Sequence, residues 1–179
     1  MPHPRCRSLP VLREENPALL NSDMKRVVEE QRLGFVATAR ADGTPDLAPD
    51  WTVSVWDDSH LVLADVCSPQ TTDNLKARPA IEVNVVDPVV RKGYRFTGKA
   101  EVYASGPSFD DGVAFFRRRG MVNSIRAVIL VAVENTRALS SPDYDLGLSE
   151  AEVSRRWESH WSQLRARRQR AAAAEKERR

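Results

Sequence analysis

LGFVATARADGTPDLAPDW, residues 33–51, is the stretch that decides the fold. Phe35 to Ala39 is a run of aromatic, β-branched and small residues, and Asp42-Gly43-Thr44-Pro45 carries turn chemistry. A second β-prone run starts at Leu47 and reaches Trp56. Two extended segments joined through Asp-Gly predict a β-hairpin.

Toward the C-terminus, Asp57-Asp58-Ser59 turns the chain into HLVLADV (60–66), and AIEVNVV (80–86) supplies a fourth strand. YRFTGKAEVY (94–103) reads as a long strand interrupted by Gly98, where a bulge or bend is expected. The segment 126–134 contains VILVAV (128–133), apolar throughout, as a strand buried on both faces requires; one of its faces is a candidate dimer interface. Short turns between such strands favour antiparallel neighbours.

Helical signals are interspersed. Asn21 or Ser22 caps a helix with Asp23 in its first turn and Met24, Val27 and Val28 on one face, ending near Gly34. Ser68 is an N-cap candidate with Pro69 at the first helical position, for a short helix running through Asn74 and Leu75 to about Ala77. Gly106-Pro107-Ser108 precedes a helix with Asp110 and Asp111 at its start and Arg117-Arg118-Arg119-Gly120 at its end. It should bury Val113 and Phe115 or Phe116.

Ser149-Glu150-Ala151-Glu152 is a capping box, after which Val153, Trp157, Trp161 and Leu164 form one stripe at helical spacing. Beyond it, 165–179 has no apolar face, and a frayed, solvated helix is expected. Six strands and these helices, in this order, predict a mainly β fold: an antiparallel barrel with peripheral helices rather than a parallel βαβ sheet. The expected organisation is an extended arm over 1–20, one domain over 21–148, and a helix with a charged tail over 149–179.

Composition narrows the function. The chain has 179 residues with 27 basic and 25 acidic side chains, so a net charge of +2 gives no electrostatic reason for an acidic polymer as partner. The Trp pair and the Arg-rich tail fit a buried stripe and a solvated helix better than a nucleic-acid platform, and Glu175 and Glu177 interrupt the basic run. No apolar run near the start has the length of a signal or a membrane span, which predicts a cytoplasmic protein without a membrane partner. Cys6 and Cys67 show neither disulfide nor zinc spacing, and His3, His60 and His160 are isolated, so no metal site is expected.

Chemistry points to the strand, turn and helix over 60–77. Exposed amides of Gln70 and Thr71 at a helix start, with the hydroxyls of Ser68, Thr71 and Thr72 nearby, make an anion site in which a phosphate fits. Ser-Pro helix starts are also common as plain caps.

The ordered set of LGFVATARADGTPDLAPDW, HLVLADV, QTTDNLKARPAIEVNVVDP (70–88) and YRFTGKAEVYASGP (94–107) resembles the pyridoxamine 5′-phosphate oxidase-like flavin-binding split β-barrels. The likeness is strongest to small FMN-binding and flavoredoxin-like members and extends more loosely to about residue 140. It implies a six-stranded split barrel, FMN as cofactor, a homodimer with flavin between subunits, and a small-molecule substrate with a nicotinamide reductant as candidate partner.

The same resemblance carries the cofactor contacts to Pro49, Asp50 and Trp51, to Asp65, Val66 and Cys67 along the ring, and to Gln70 and Thr71 at the ribityl phosphate. Asn74 takes a structural capping or turn role. Relatives usually carry Lys or Arg where this chain has Gln70, so a charge-assisted bond is missing. Arg95, Arg117, Arg118 and Arg119 are candidate replacements, and a deazaflavin in the same groove is an alternative cofactor. No catalytic residue is assigned, and an FMN-dependent oxidoreductase, a non-catalytic flavin or electron carrier, and a deazaflavin-dependent reductase all remain open.

Overall fold

A computed structural model describes residues 19–177. The expected arm lies, apart from Leu19 and Leu20, outside the described residues, as do His3 and Cys6. The elements in chain order are α1 (Ser22–Gln31), β1 (Gly34–Ala39), β2 (Pro45–Asp50), β3 (Ser54–Val55), β4 (His60–Asp65), α2 (Pro69–Ala77), β5 (Ala80–Asp87), β6 (Lys92–Tyr103), α3 (Pro107–Arg118), β7 (Ala127–Ser140) and α4 (Glu150–Glu177). The fold class is the expected one, mainly β with helices.

The strands form one sheet in the order β2-β1-β5-β6-β7-β4-β3. The hairpin reading holds: β1 and β2 pair antiparallel from Gly34↔Asp50 to Ala39↔Pro45. β4 runs antiparallel to β7 from His60↔Ala132 to Asp65↔Ala127. Among the described residues there are seven strands rather than six, because the run from Leu47 to Trp56 divides. The Asp50 carboxylate accepts from both the amide and the hydroxyl of Thr52 at 2.6 Å, which ends β2 in a tight turn.

That division curls the sheet. β2 and β3 stand at opposite ends of the strand order, six spacings of about 4.8 Å apart if the sheet were flat, or roughly 29 Å. Only residues 51–53 join them, and four residue steps reach about 14 Å at most. The sheet therefore bends until its two edges approach, the half-barrel of a split-barrel fold.

Side-chain alternation then sorts the core. Leu61 and Leu63 of β4 join Val36, Val83, Val85, Phe96, Ile129, Val131 and Val133 with Val27 and Val28 of α1. Val62 and Ala64 face a second cluster with Val128, Ile125 and Phe116, against which Phe109, Val113 and Phe115 of α3 pack. Both faces of β4 are thus covered within one chain, whereas on the second face of β7 Val128 is buried and Leu130 and Ala132 are half-buried. At Gly98 a Cβ would lie 2.0 Å from the Ala132 carbonyl oxygen, so only glycine permits this approach of β6 and β7.

Residues 86–93 with 138–177 form a second compact unit. Its α4 starts at the predicted capping box, with the Glu152 carboxylate accepting from the Ser149 amide at 2.8 Å. Arg91 lies over the Trp157 ring at 4.0 Å, and Lys92 pairs with Glu150 at 2.8 Å. Val153 is buried, but Trp161 is exposed, so the apolar stripe is used over its first turns only. The helix continues to Glu177 instead of fraying after Leu164. Among the described residues, no helix is long and apolar enough to cross a membrane.

Candidate functional site

The turn that splits β2 from β3 also opens a cleft of about 420 Å³ in the first unit. Trp51, Thr52 and Ser54 form one wall, and Val66, just past β4, adjoins them. Arg32 enters from the end of α1, and Phe116, Arg119 and Met121 from the last turn of α3 and the residues after it. Trp51 is 69% exposed, an apolar ring presented outward rather than packed.

Thr52 fixes this wall. Its hydroxyl donates to Asp50 at 2.6 Å and accepts from the Ala64 amide at 2.8 Å, tying the link to β4. Burial pushes the Asp50 carboxyl up from the usual aspartate range, although the hydrogen bonds from Thr52 pull the other way. Asp50 therefore supports the wall from behind.

Two arginines supply the charge. Arg32 is the C-cap of α1 in the left-handed region, φ 48°, with its Nε donating to the Glu29 carbonyl at 3.3 Å. Arg119, the C-cap of α3, pairs with the Glu29 carboxylate and lies over the Phe115 ring at 5.0 Å. The other Glu29 oxygen accepts from the Val55 amide at 2.9 Å, so one carboxylate ties α1 to β3 and to the end of α3.

The expected contact residues separate into groups. Trp51 and Val66 line the cleft; Pro49 is exposed on β2 opposite Phe35, and Cys67 is exposed beyond β4. Asp65 is buried and its side chain is spent on architecture: one oxygen accepts from the Ser68 amide and the other from the Thr72 hydroxyl, both at 2.8 Å. Ser68 stands at the N-cap of α2 but makes no side-chain capping bond. The sequence pattern for a Ser cap thus pointed to the right position and the wrong acceptor, since the Asp65 carboxylate and not the Ser68 hydroxyl accepts an amide there.

Gln70 is exposed and gives its amide to Asn74 Oδ1 at 2.8 Å, while Thr71 is buried, and neither lines the cleft. Asn74 is structural, but in place of the expected capping or turn role its side chain ties α2 to the β1–β2 hairpin, donating to the Thr38 hydroxyl at 2.9 Å and to Asp46 at 3.2 Å. Of the candidate cations, Arg95 is held by Asn84 at 3.0 Å and Glu82 at 3.1 Å, and Arg117 donates to the Met121 carbonyl at 2.7 Å. Arg118 is exposed on the last turn of α3, and Arg119 alone of the four lines the cleft. Arg32 was not foreseen, since nothing in its spacing distinguishes it from a solvated helix end.

Residues 20–140 match the family model described as pyridoxamine 5′-phosphate oxidase. No curated protein matches the chain in sequence. Among solved structures, HupZ of Group A Streptococcus is similar with a TM-score of 0.62 and 30% identity, over 68% of this chain and 94% of HupZ. An F420 reductase has a TM-score of 0.52 at 22% identity, over 65% of this chain and 98% of its own. An FMN-binding protein from Syntrophomonas wolfei has a TM-score of 0.53 at 13% identity, over 66% of this chain and 90% of its own. The last two share the fold.

Proposed function

The chain belongs to the pyridoxamine 5′-phosphate oxidase family, and on that premise we propose that it is an FMN-dependent oxidoreductase passing a hydride or electrons between flavin and a small molecule. The cleft carries this reading. Two of the residues the resemblance singled out, Trp51 and Val66, converge on it from just past the ends of β2 and β4, beside Phe116 and Met121 and two guanidinium groups.

The residues fit the group. A cofactor pocket of a few hundred Å³ with apolar walls and a few polar anchors suits a planar ring carrying a phosphate. When bound, the flavin would supply the redox chemistry. The chain's own task is then to hold it: the Trp51 indole offers a flat face, Val66, Phe116 and Met121 exclude water, and Arg32 and Arg119 offer donors to an anion. The Thr52 hydroxyl already donates to Asp50, so it orients the wall and is not a proton source.

A homodimer, a cytoplasmic setting and a nicotinamide reductant belong to the same reading. A deazaflavin is the second reading, favoured by Gln70. Its amide is committed to Asn74, so the start of α2 brings no cation to a phosphate.

Absorbance titration of the purified protein with FMN, and with a deazaflavin in parallel, tests the proposal. Shifted visible bands with FMN support it, and a further spectral change with reduced nicotinamide separates turnover from a carrier role. No binding of either at micromolar concentration sinks both readings.

A further inference from the structure

The cleft wall carries two guanidinium groups, from Arg32 and Arg119, and no carboxylate. Both stand at helix C-termini, where a cation is favoured by the dipole, so position alone says little. Backbone and partners say more. Arg32 occupies a left-handed C-cap, φ 48°, that glycine or asparagine ordinarily fills, and its side chain lies in the wall.

The Glu29 to Arg119 pair can separate without stranding either group. Each side chain is about one-third exposed, 32% and 33%. Glu29 keeps the Val55 amide on its other oxygen, and Arg119 keeps the Phe115 ring beneath it. Separating them leaves neither buried without support.

We propose that Arg119, together with Arg32, holds the anionic group of the ligand that enters the cleft, a phosphate monoester or a carboxylate, and that Glu29 competes with this anion for Arg119. The inference deepens the flavin reading and rests on it for the ligand. The anion is either the cofactor's phosphate or an acid group of the substrate.

Glu29→Gln and Arg119→Gln break the same ion pair, so a purely structural pair weakens in the same direction with either change. Competition for a ligand predicts opposite directions. Glu29→Gln retains an oxygen for the Val55 amide while removing the rival charge, and should tighten anion binding about threefold. Arg119→Gln should weaken it about tenfold or more.

The probes are FMN, riboflavin and inorganic phosphate, followed by protein and flavin fluorescence, with thermal unfolding to show that each variant is folded. Arg119→Lys, which keeps the charge and loses the fork, should fall between. Opposite shifts for FMN but not for riboflavin assign the anion to the cofactor. Equal FMN and riboflavin responses, with opposite shifts for phosphate on the FMN-loaded protein, assign it to the substrate. Parallel weakening by both variants, or no response to phosphate or FMN, overturns the proposal. If no flavin binds, the flavin reading fails, and opposite responses to phosphate alone still uphold the arginine pair.

Discussion

Asp65, the last residue of β4, accepts the hydroxyl of Thr72 at 2.8 Å, and its other carboxylate oxygen accepts the amide of Ser68 at 2.8 Å. One buried side chain therefore sets where α2 starts and how it leans on the sheet. Removing the donor while keeping the shape, Thr72→Val, strands a buried oxygen and should cost about 1–3 kcal/mol. Asp65→Ala loses both bonds and should cost more. Urea unfolding measures both, and a cost below about 0.5 kcal/mol for Asp65→Ala would refute the anchoring role.

Gly98 and Gly112 should respond unequally to alanine. At Gly98 the new methyl meets the Ala132 carbonyl oxygen at 2.0 Å, part of a strand that cannot move without breaking its ladder. Gly98→Ala should cost about 3 kcal/mol or more, or prevent folding. At Gly112 the obstacle is the Val128 side chain at 2.5 Å, and α3 gains roughly 1 kcal/mol of helix propensity in return. Thermal unfolding of the two variants should rank Gly98→Ala clearly lower.

Asp50 gives a pH dependence whose sign can be worked out. Burial raises its carboxyl above the usual range, so the folded state holds this proton more tightly than the unfolded chain. Its contribution is fully present below the ordinary aspartate value and is lost as pH rises through the raised folded value. Asp50→Asn keeps an acceptor for Thr52 and removes the titration. The variant should gain stability relative to the parent as pH climbs through that window, then hold a constant difference above it. A difference that shrinks with rising pH in chemical denaturation would contradict the assignment.

Trp51 separates binding from folding. Its indole is 69% exposed, so Trp51→Ala should change unfolding free energy by no more than about 0.5 kcal/mol. Losing a flat aromatic wall should weaken flavin binding about tenfold, and Trp51→Phe should recover part of it. Equal flavin affinity in parent and alanine variant, by fluorescence quenching, would remove Trp51 from the site.

The local sequence determined the elements themselves. Asp42-Gly43 marked the hairpin turn, Asn21 the start of α1, where its side chain accepts from the Met24 amide at 2.9 Å, and Ser149 with Glu152 the start of α4. These signals are short-range, because caps and turns are satisfied within three or four residues. The continuous apolar run over 128–133 likewise announced the strand β7, whose Val128, Ile129, Val131 and Val133 are buried.

Tertiary structure alone decided which residues meet. Nothing in the spacing of Arg32, Trp51, Val66 and Arg119 brings them to one cleft. They converge because three residues between β2 and β3 force opposite edges of the sheet together. The same closure spent Asp65 and Gln70 on neighbours along α2, since a polar group finds its partner by geometry and a sequence motif records only that it needs one.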